Sequence, residues 1–148
     1  MSVAISGIDI LRAAGDGGSP LPPAAALLAW KALSIEPGHV RVQYTAREEF
    51  YNPMGSVQGG FLAAMLDDAM GPAAFTLLEE GQFAPTVELK VNFLRPARAG
   101  TLIAEGRVVH RARRVVFMEG TLGTEDGTIV ATATATAVIN TAAKEAEE

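Results

Sequence analysis

The sequence predicts an α+β fold in which one long buried helix covers one face of an antiparallel sheet. Three observations carry this prediction. The run from Gly59 to about Leu78, GGFLAAMLDDAMGPAAFTLL, is apolar almost all round and longer than a strand, so it reads as a buried helix. After Gly81 the pattern switches to period two in four segments, TVELKVNFLRP, TLIAEGRVVH, RVVFMEGTLGT and TIVATATATAVIN, parted by turn signals. In the last of these, Ile129, Ala131, Ala133, Ala135, Ala137 and Ile139 share one face, a smooth surface against which a helix fits.

Taken in order, residues 1–14 and 22–34 read as weak helices within an N-terminal helical segment over 1–37, with GDGGSPLPP between them. Prolines at 22 and 23 suit a helix start. His39 to Ala46 alternates valines and Tyr44 with polar residues, as a half-buried strand does, and YNPMGSVQGG is loop. In the long helix the small residues Ala63, Ala64, Ala69, Gly71, Ala73 and Ala74 allow a sheet to approach closely. Pro72 has no N–H for the carbonyl of Asp68, so a kink or break is expected there. Four strands joined by the turns ARAG, RAR and EDG imply an antiparallel meander, and residues 141–148 read as a frayed, charged tail.

The 148 residues are the ordinary size of one domain, so a single domain over 1–148 is expected. At 49% hydrophobic and 20% charged the chain is ordered and globular, and more apolar than a monomer requires, which points to subunit contacts. A net charge of -5 argues against a nucleic-acid partner, since a phosphate backbone demands a broadly basic face. The absence of cysteine removes disulfides, thiolate metal sites and cysteine nucleophiles, and no metal or cofactor is expected. The start, MSVAISGIDILRAAGDGG, lacks a basic region ahead of its apolar stretch, and no run of eighteen apolar residues spans a membrane. A cytoplasmic protein without membrane contact is the expectation.

The run Asn52-Pro-Met-Gly-Ser-Val-Gln-Gly-Gly-Phe-Leu-Ala-Ala-Met-Leu-Asp67, with VNFLRPARAG, the basic turn HRARR and the ending DGTIVATATAT, resembles the phenylacetate-degradation-type (PaaI-like) acyl-CoA thioesterases of the hotdog fold. The likeness covers roughly residues 38 to 140 and is specific as a set. It implies a long central helix packed on a five-to-six-stranded antiparallel sheet. It also implies hydrolysis of a coenzyme A thioester by a homodimer or dimer of dimers.

Thioester hydrolysis needs a group that attacks or activates water, and donors for the oxyanion that forms. Gly59 and Gly60 precede the helix, where the first N–H groups lack intrahelical partners and the dipole is positive. The resemblance assigns the oxyanion donor to the Gly59 N–H, with the Asn52 side chain orienting water or carbonyl. Asp67 and Asp68 both lie in an apolar helix, where an ionised carboxylate is costly unless paired or functional, and periodicity does not choose between them. The resemblance chooses Asp67, as nucleophile or general base; Asp68 is read as an ordinary carboxylate that faces water at a subunit edge. The resemblance also places the Thr86 hydroxyl near the Asp67 carboxylate. Gln58 departs from the family's usual His-Gly-Gly; glutamine hydrogen-bonds but does not titrate, so its expected role is positional.

Eight residues separate Gly59 from Asp67, about 12 Å along the helix axis. A reacting carbonyl must lie about 3 Å from both groups, which one helix can hardly arrange. An antiparallel pair of helices in a two-fold dimer can. Six of the 12 basic residues, Arg95, Arg98, Arg107, Arg111, Arg113 and Arg114, fall within a short stretch of an otherwise acidic chain. By resemblance Arg95, Arg113 and Arg114 are expected to hold the phosphates of coenzyme A. Two rivals remain: a hotdog dehydratase or hydratase, which wants a histidine beside the carboxylate, and a non-catalytic acyl-CoA sensor.

Overall fold

The computed structural model describes residues 5–143; the first residues of the expected N-terminal helix and most of the expected tail lie outside them. Helix α1 (Gly7–Gly15) starts at Ser6, whose hydroxyl caps the Asp9 N–H, and the short α2 (Pro23–Leu27) has its proline at the first position. The helix expected over 22–34 stops early. Ala29 takes a left-handed φ of 56°, and Lys31–Glu36 form strand β1. The cause is the Pro37-Gly38 pair: Gly38 adopts φ 72°, and Glu36 pairs with His39, closing a two-residue hairpin onto β2 (His39–Ala46). The helical segment expected over 1–37 therefore ends in a strand.

Helix α3 (Gly59–Phe75) follows a loop and a single 3-10 turn. It passes through Pro72 without breaking, because the proline sits so near the C-terminus that only the last turn is affected. The Thr76 N–H still reaches the Pro72 carbonyl at 3.0 Å. The buried Thr76 hydroxyl then donates to the Ala73 carbonyl and accepts the Gly38 N–H, both at 2.7 Å, fastening the helix end to the β1–β2 turn. Leu62, Met65, Leu66, Ala69, Met70 and Ala73 are buried against the sheet. A fully buried leucine or methionine contributes about 1.5–3 kcal/mol, so this face anchors the helix. At Gly106 a Cβ would lie 2.3 Å from the Ala69 carbonyl oxygen, so only glycine admits the helix there.

The remaining strands are β3 (Gln82–Phe83), β4 (Thr86–Phe93), β5 (Gly100–Arg111), β6 (Val115–Thr124), β7 (Ile129–Val138) and β8 (Asn140–Thr141). Of the eight strands described, six form one antiparallel sheet in the order β1-β2-β5-β6-β7-β4, and β3 pairs with β8. Thr141, expected in the frayed tail, is thus paired with Gln82. The expected meander holds for β5, β6 and β7, but β4 does not pair with β5. It lies beyond β7, with Leu89 opposite Ala135 and Phe93 opposite Ala131. The connection Leu94 to Ala99 carries the chain back past the start of α3, held where the Val57 N–H meets the Ala97 carbonyl at 2.9 Å. Ala131, Ala133, Ala135 and Ala137 are buried, as their shared face predicts. No helix among the described residues is long and apolar enough to cross a membrane.

Candidate active site

The loop before α3 is built around Asn52. Its Oδ1 accepts the N–H groups of Met54 (3.0 Å) and Ser56 (3.3 Å), and its Nδ2 donates to the Ser56 hydroxyl at 3.2 Å. Gly55 takes φ 76° at the tip, and the Arg98 guanidinium donates to its carbonyl. Phe50 stacks on Phe61 with centroids 4.1 Å apart, pinning the loop to the first turn of the helix. Gln58 is the N-cap residue and makes no side-chain capping bond. The N–H groups of Gly59 and Gly60 find no acceptor among the described residues. A cavity of about 440 Å³ opens at this helix end, lined by Asn52, Gln58, Gly59, Phe93 and Arg95 among others. The Phe93 ring packs on Gly59, where a Cβ would meet it at 3.1 Å.

Further along α3, Gly60, Ala64, Asp67, Asp68 and Gly71 recur every three or four residues on the helix side away from the buried face. Asp67 and Asp68 point to different strands. The Thr86 hydroxyl on β4 donates to Asp67 Oδ1 at 2.9 Å, and the Tyr44 hydroxyl on β2 donates to Asp68 Oδ2 at 2.7 Å. Asp68 does not face open water, contrary to expectation, because the Tyr44 phenol on an inward position of β2 is itself fully buried and requires an acceptor. Burial pushes the Asp68 carboxyl up to about 6, the Tyr44 hydrogen bond pulls it down, and the charge of Asp67 adds to the rise. Burial foremost, then the Asp68 charge, raise the Tyr44 phenol well above its usual value, so it remains a donor. Both carboxylates line a second cavity, of about 390 Å³, with Thr86, Ala24, Leu28, Ala64, Gly71, Pro72, Ala84 and Pro85.

The structure brings Asn52, Gln58, Gly59 and Arg95 to one place and Asp67 and Thr86 to another. Gly59 touches the Phe93 end of β4, and Asp67 is bonded at the Thr86 end, seven residues or about 23 Å of strand away. The arginines divide in the same way. Arg95 donates to the Ile129 carbonyl at the start of β7, whereas Arg113 and Arg114 sit in the β5–β6 turn, where the Arg114 carbonyl accepts the Ile139 N–H just past the end of β7. Within one chain they do not form a single basic edge, because sequence proximity across a strand turn does not survive a strand about 30 Å long. Tyr44 and Phe93 are the side chains that sequence reasoning passed over. A tyrosine at an inward strand position, needing a buried partner for its hydroxyl, was the available signal for the first.

A six-stranded antiparallel sheet covered by one long helix is the hotdog framework. The description of the Thioesterase superfamily matches residues 54–131, and the chain belongs to that family. A phenylacetic acid degradation-related protein from Ralstonia eutropha JMP134 is 39% identical, superimposes with a TM-score of 0.81, and covers 86% of this chain and 97% of its own. A Streptococcus mutans protein solved bound to acetyl CoA is 28% identical with a TM-score of 0.71, over 78% of this chain and 91% of that one. Human acyl-coenzyme A thioesterase 13 is 24% identical over 86 residues, 57% of this chain and 61% of that protein. The protein is a thioester hydrolase with a hotdog fold.

Proposed function

We propose that the protein hydrolyses acyl-CoA thioesters to free acid and coenzyme A at a site shared between two copies of the chain. The observation that carries this reading is the uncovered edge of β4. Among the described residues it pairs with β7 on one side only, and it exposes Val87 at 60%, Phe93 at 54% and Leu89 at 37%. Antiparallel pairing of two such edges lays the Thr86 end of one strand beside the Phe93 end of the other. Asp67 of one protomer then faces Gly59 of its partner. The same operation brings Arg113 and Arg114 of one protomer to the side of Arg95 of the other, which reunites the phosphate-binding set.

In this site Thr86 orients Asp67, and the ionised carboxylate either attacks the thioester carbon or takes the proton of an attacking water. The carbonyl oxygen, becoming negative, is met by the N–H at the positive end of the partner's helix. Electrons return to expel the thiolate; where water attacked, the acid is left in the cavity that holds Asp67, and where Asp67 attacked, an acyl-Asp67 anhydride is left, which water then hydrolyses to the acid and the free carboxylate. Asn52, with its Oδ1 bonded to the N–H groups of Met54 and Ser56 in its own loop, holds the glycine turn rather than the water, and Gln58 sets the helix start. His39 lies 2.5 Å from Glu105, and His110 stacks on Phe117, so neither histidine stands beside Asp67 as a dehydratase would want.

Subunit complementation tests the shared site. Asp67→Asn removes the carboxylate, and Gly59→Pro removes one N–H at the first helix position, where proline suits the backbone and the Phe93 ring must shift by a few tenths of an ångström, so circular dichroism checks that the variant folds. Each variant alone is expected to be nearly inactive. Mixed and allowed to exchange, they are expected to recover up to about a quarter of wild-type activity, since half the dimers are mixed and each mixed dimer holds one intact site. A mixture no better than its parts sinks the shared site.

A further inference from the structure

Hydrolysis at Asp67 leaves one carboxylate of its cavity without a role. Asp68 follows Asp67 directly and lines the same cavity, anchored by the hydroxyl of the fully buried Tyr44 at 2.7 Å. Beyond these carboxylates and the Thr86 hydroxyl, the lining is apolar or glycine: Ala24, Leu28, Ala64, Gly71, Ala84 and Pro85 with Pro72. Among the described residues, no lysine, arginine or histidine lines it. Neither aspartate makes an ion pair with a described residue.

A thioester enters such a cavity with an uncharged acyl group and, once hydrolysed, leaves a carboxylate there. Asp67 must be negative to work, so the new anion is repelled by one charge at least. A second unit charge about 7 Å away, at an effective dielectric of about 20, weakens anion binding by more than tenfold again. We infer that Asp68, fixed by the Tyr44 hydroxyl, is a specificity residue that sets the charge of the acyl cavity. Neutral acyl groups are admitted, while the product acid and thioesters of dicarboxylic acids are turned away. This rests on the reading of the Asp67 cavity as the acyl site.

The direction with pH follows. Because burial lifts the Asp68 carboxyl to about 6, it is charged at about pH 8 and largely neutral at about pH 5. The titratable groups facing it are Tyr44 from β2 and Asp67 from its own helix. Helix α2 and the segment 84–86 bring only Ala24, Leu28, Ala84, Pro85 and Thr86 to the cavity. Discrimination against carboxylates should therefore weaken as the pH falls through about 6.

The experiment compares kcat/KM for acyl-CoAs matched in length, such as butyryl-CoA and succinyl-CoA, in wild type, Asp68→Asn and Tyr44→Phe, with circular dichroism to check folding. At about pH 8 the wild type is expected to favour the butyryl thioester by well over tenfold, and Asp68→Asn to reduce that ratio at least about fivefold. Butyrate is expected to inhibit Asp68→Asn more tightly than wild type. Tyr44→Phe keeps the ring and the carboxyl but removes the hydrogen bond that favours the charged form, so the pH at which discrimination is lost should move upward. Any pH dependence that Asp68→Asn retains belongs to the substrate and is subtracted. A ratio that Asp68→Asn leaves unchanged, with butyryl-CoA still hydrolysed, overturns this inference alone. A wild type inactive on every acyl-CoA overturns the acyl-CoA reading and this inference with it.

Discussion

The two ends of β4 bring different chemistry to the same helix. At the Phe93 end lie Gly59 and Gly60 with unpaired N–H groups, the Asn52 loop and Arg95; at the Thr86 end lie Asp67, Asp68 and a hydroxyl. One end can stabilise an anion and the other can generate or activate a nucleophile. Within one chain an ionised carboxylate placed beside free helix N–H groups would bond to them, and each would quench the other. The two turns of helix between Gly59 and Asp67 keep them about 12 Å apart, and on the proposed reading only assembly aligns them around a substrate. A further concavity, of about 580 Å³, lies instead on the outer face of the sheet, among Lys90, Arg107, Glu119 and the threonines of β7, away from Asp67 and Asp68.

Removing the chemistry of one end should have the largest effect. Asp67→Asn keeps shape and hydrogen bonding but removes both nucleophile and base, so kcat is expected to fall at least about a hundredfold. Asp68→Asn is expected to fall short of that loss by an order of magnitude, both variants staying folded. Equal losses, measured on the same acyl-CoA, would show that the two carboxylates are not divided as their partners Thr86 and Tyr44 suggest.

Breaking the pairing that joins the ends should come next. Val87→Lys puts a charge on the open edge of β4, where a paired strand must bury it. Light scattering is expected to show a shift toward monomer, with kcat/KM down by some tens of fold in dilute solution. A fully active monomer breaks the comparison, since each end would then be sufficient alone. The smallest effect is expected at the arginines. Replacing Arg113 and Arg114 by alanine should raise KM for acyl-CoA several-fold to about tenfold and flatten its salt dependence, while kcat changes little. The same loss with a thioester that carries no phosphate would count against a phosphate-binding role.

Much of this architecture was legible. The helix start at Gly59, the strand His39–Ala46 and the alanine face of β7 stand where their periodicity put them. Two local signals override the simpler pattern. Pro37-Gly38 between Ile35 and Val40 is a hairpin mark, and it makes a strand of the end of the expected helical segment. Six residues with a central proline separate Phe93 from Gly100, against three between β5 and β6 and four between β6 and β7. That longer link was the available sign that β4 leaves the meander.

By itself the sequence determined the elements, their buried faces and the family motif from Asn52 to Asp67, because periodicity and capping act over a few residues. The tertiary structure decided what depends on distant segments meeting. It set β4 at the far edge, gave Asp67 to Thr86 and Asp68 to Tyr44, and parted Arg95 from Arg113 and Arg114. Two adjacent aspartates on one helix are nearly identical to any local rule. They differ only because a helix turns about 100° per residue, so that neighbours address strands β4 and β2, which three other strands keep apart.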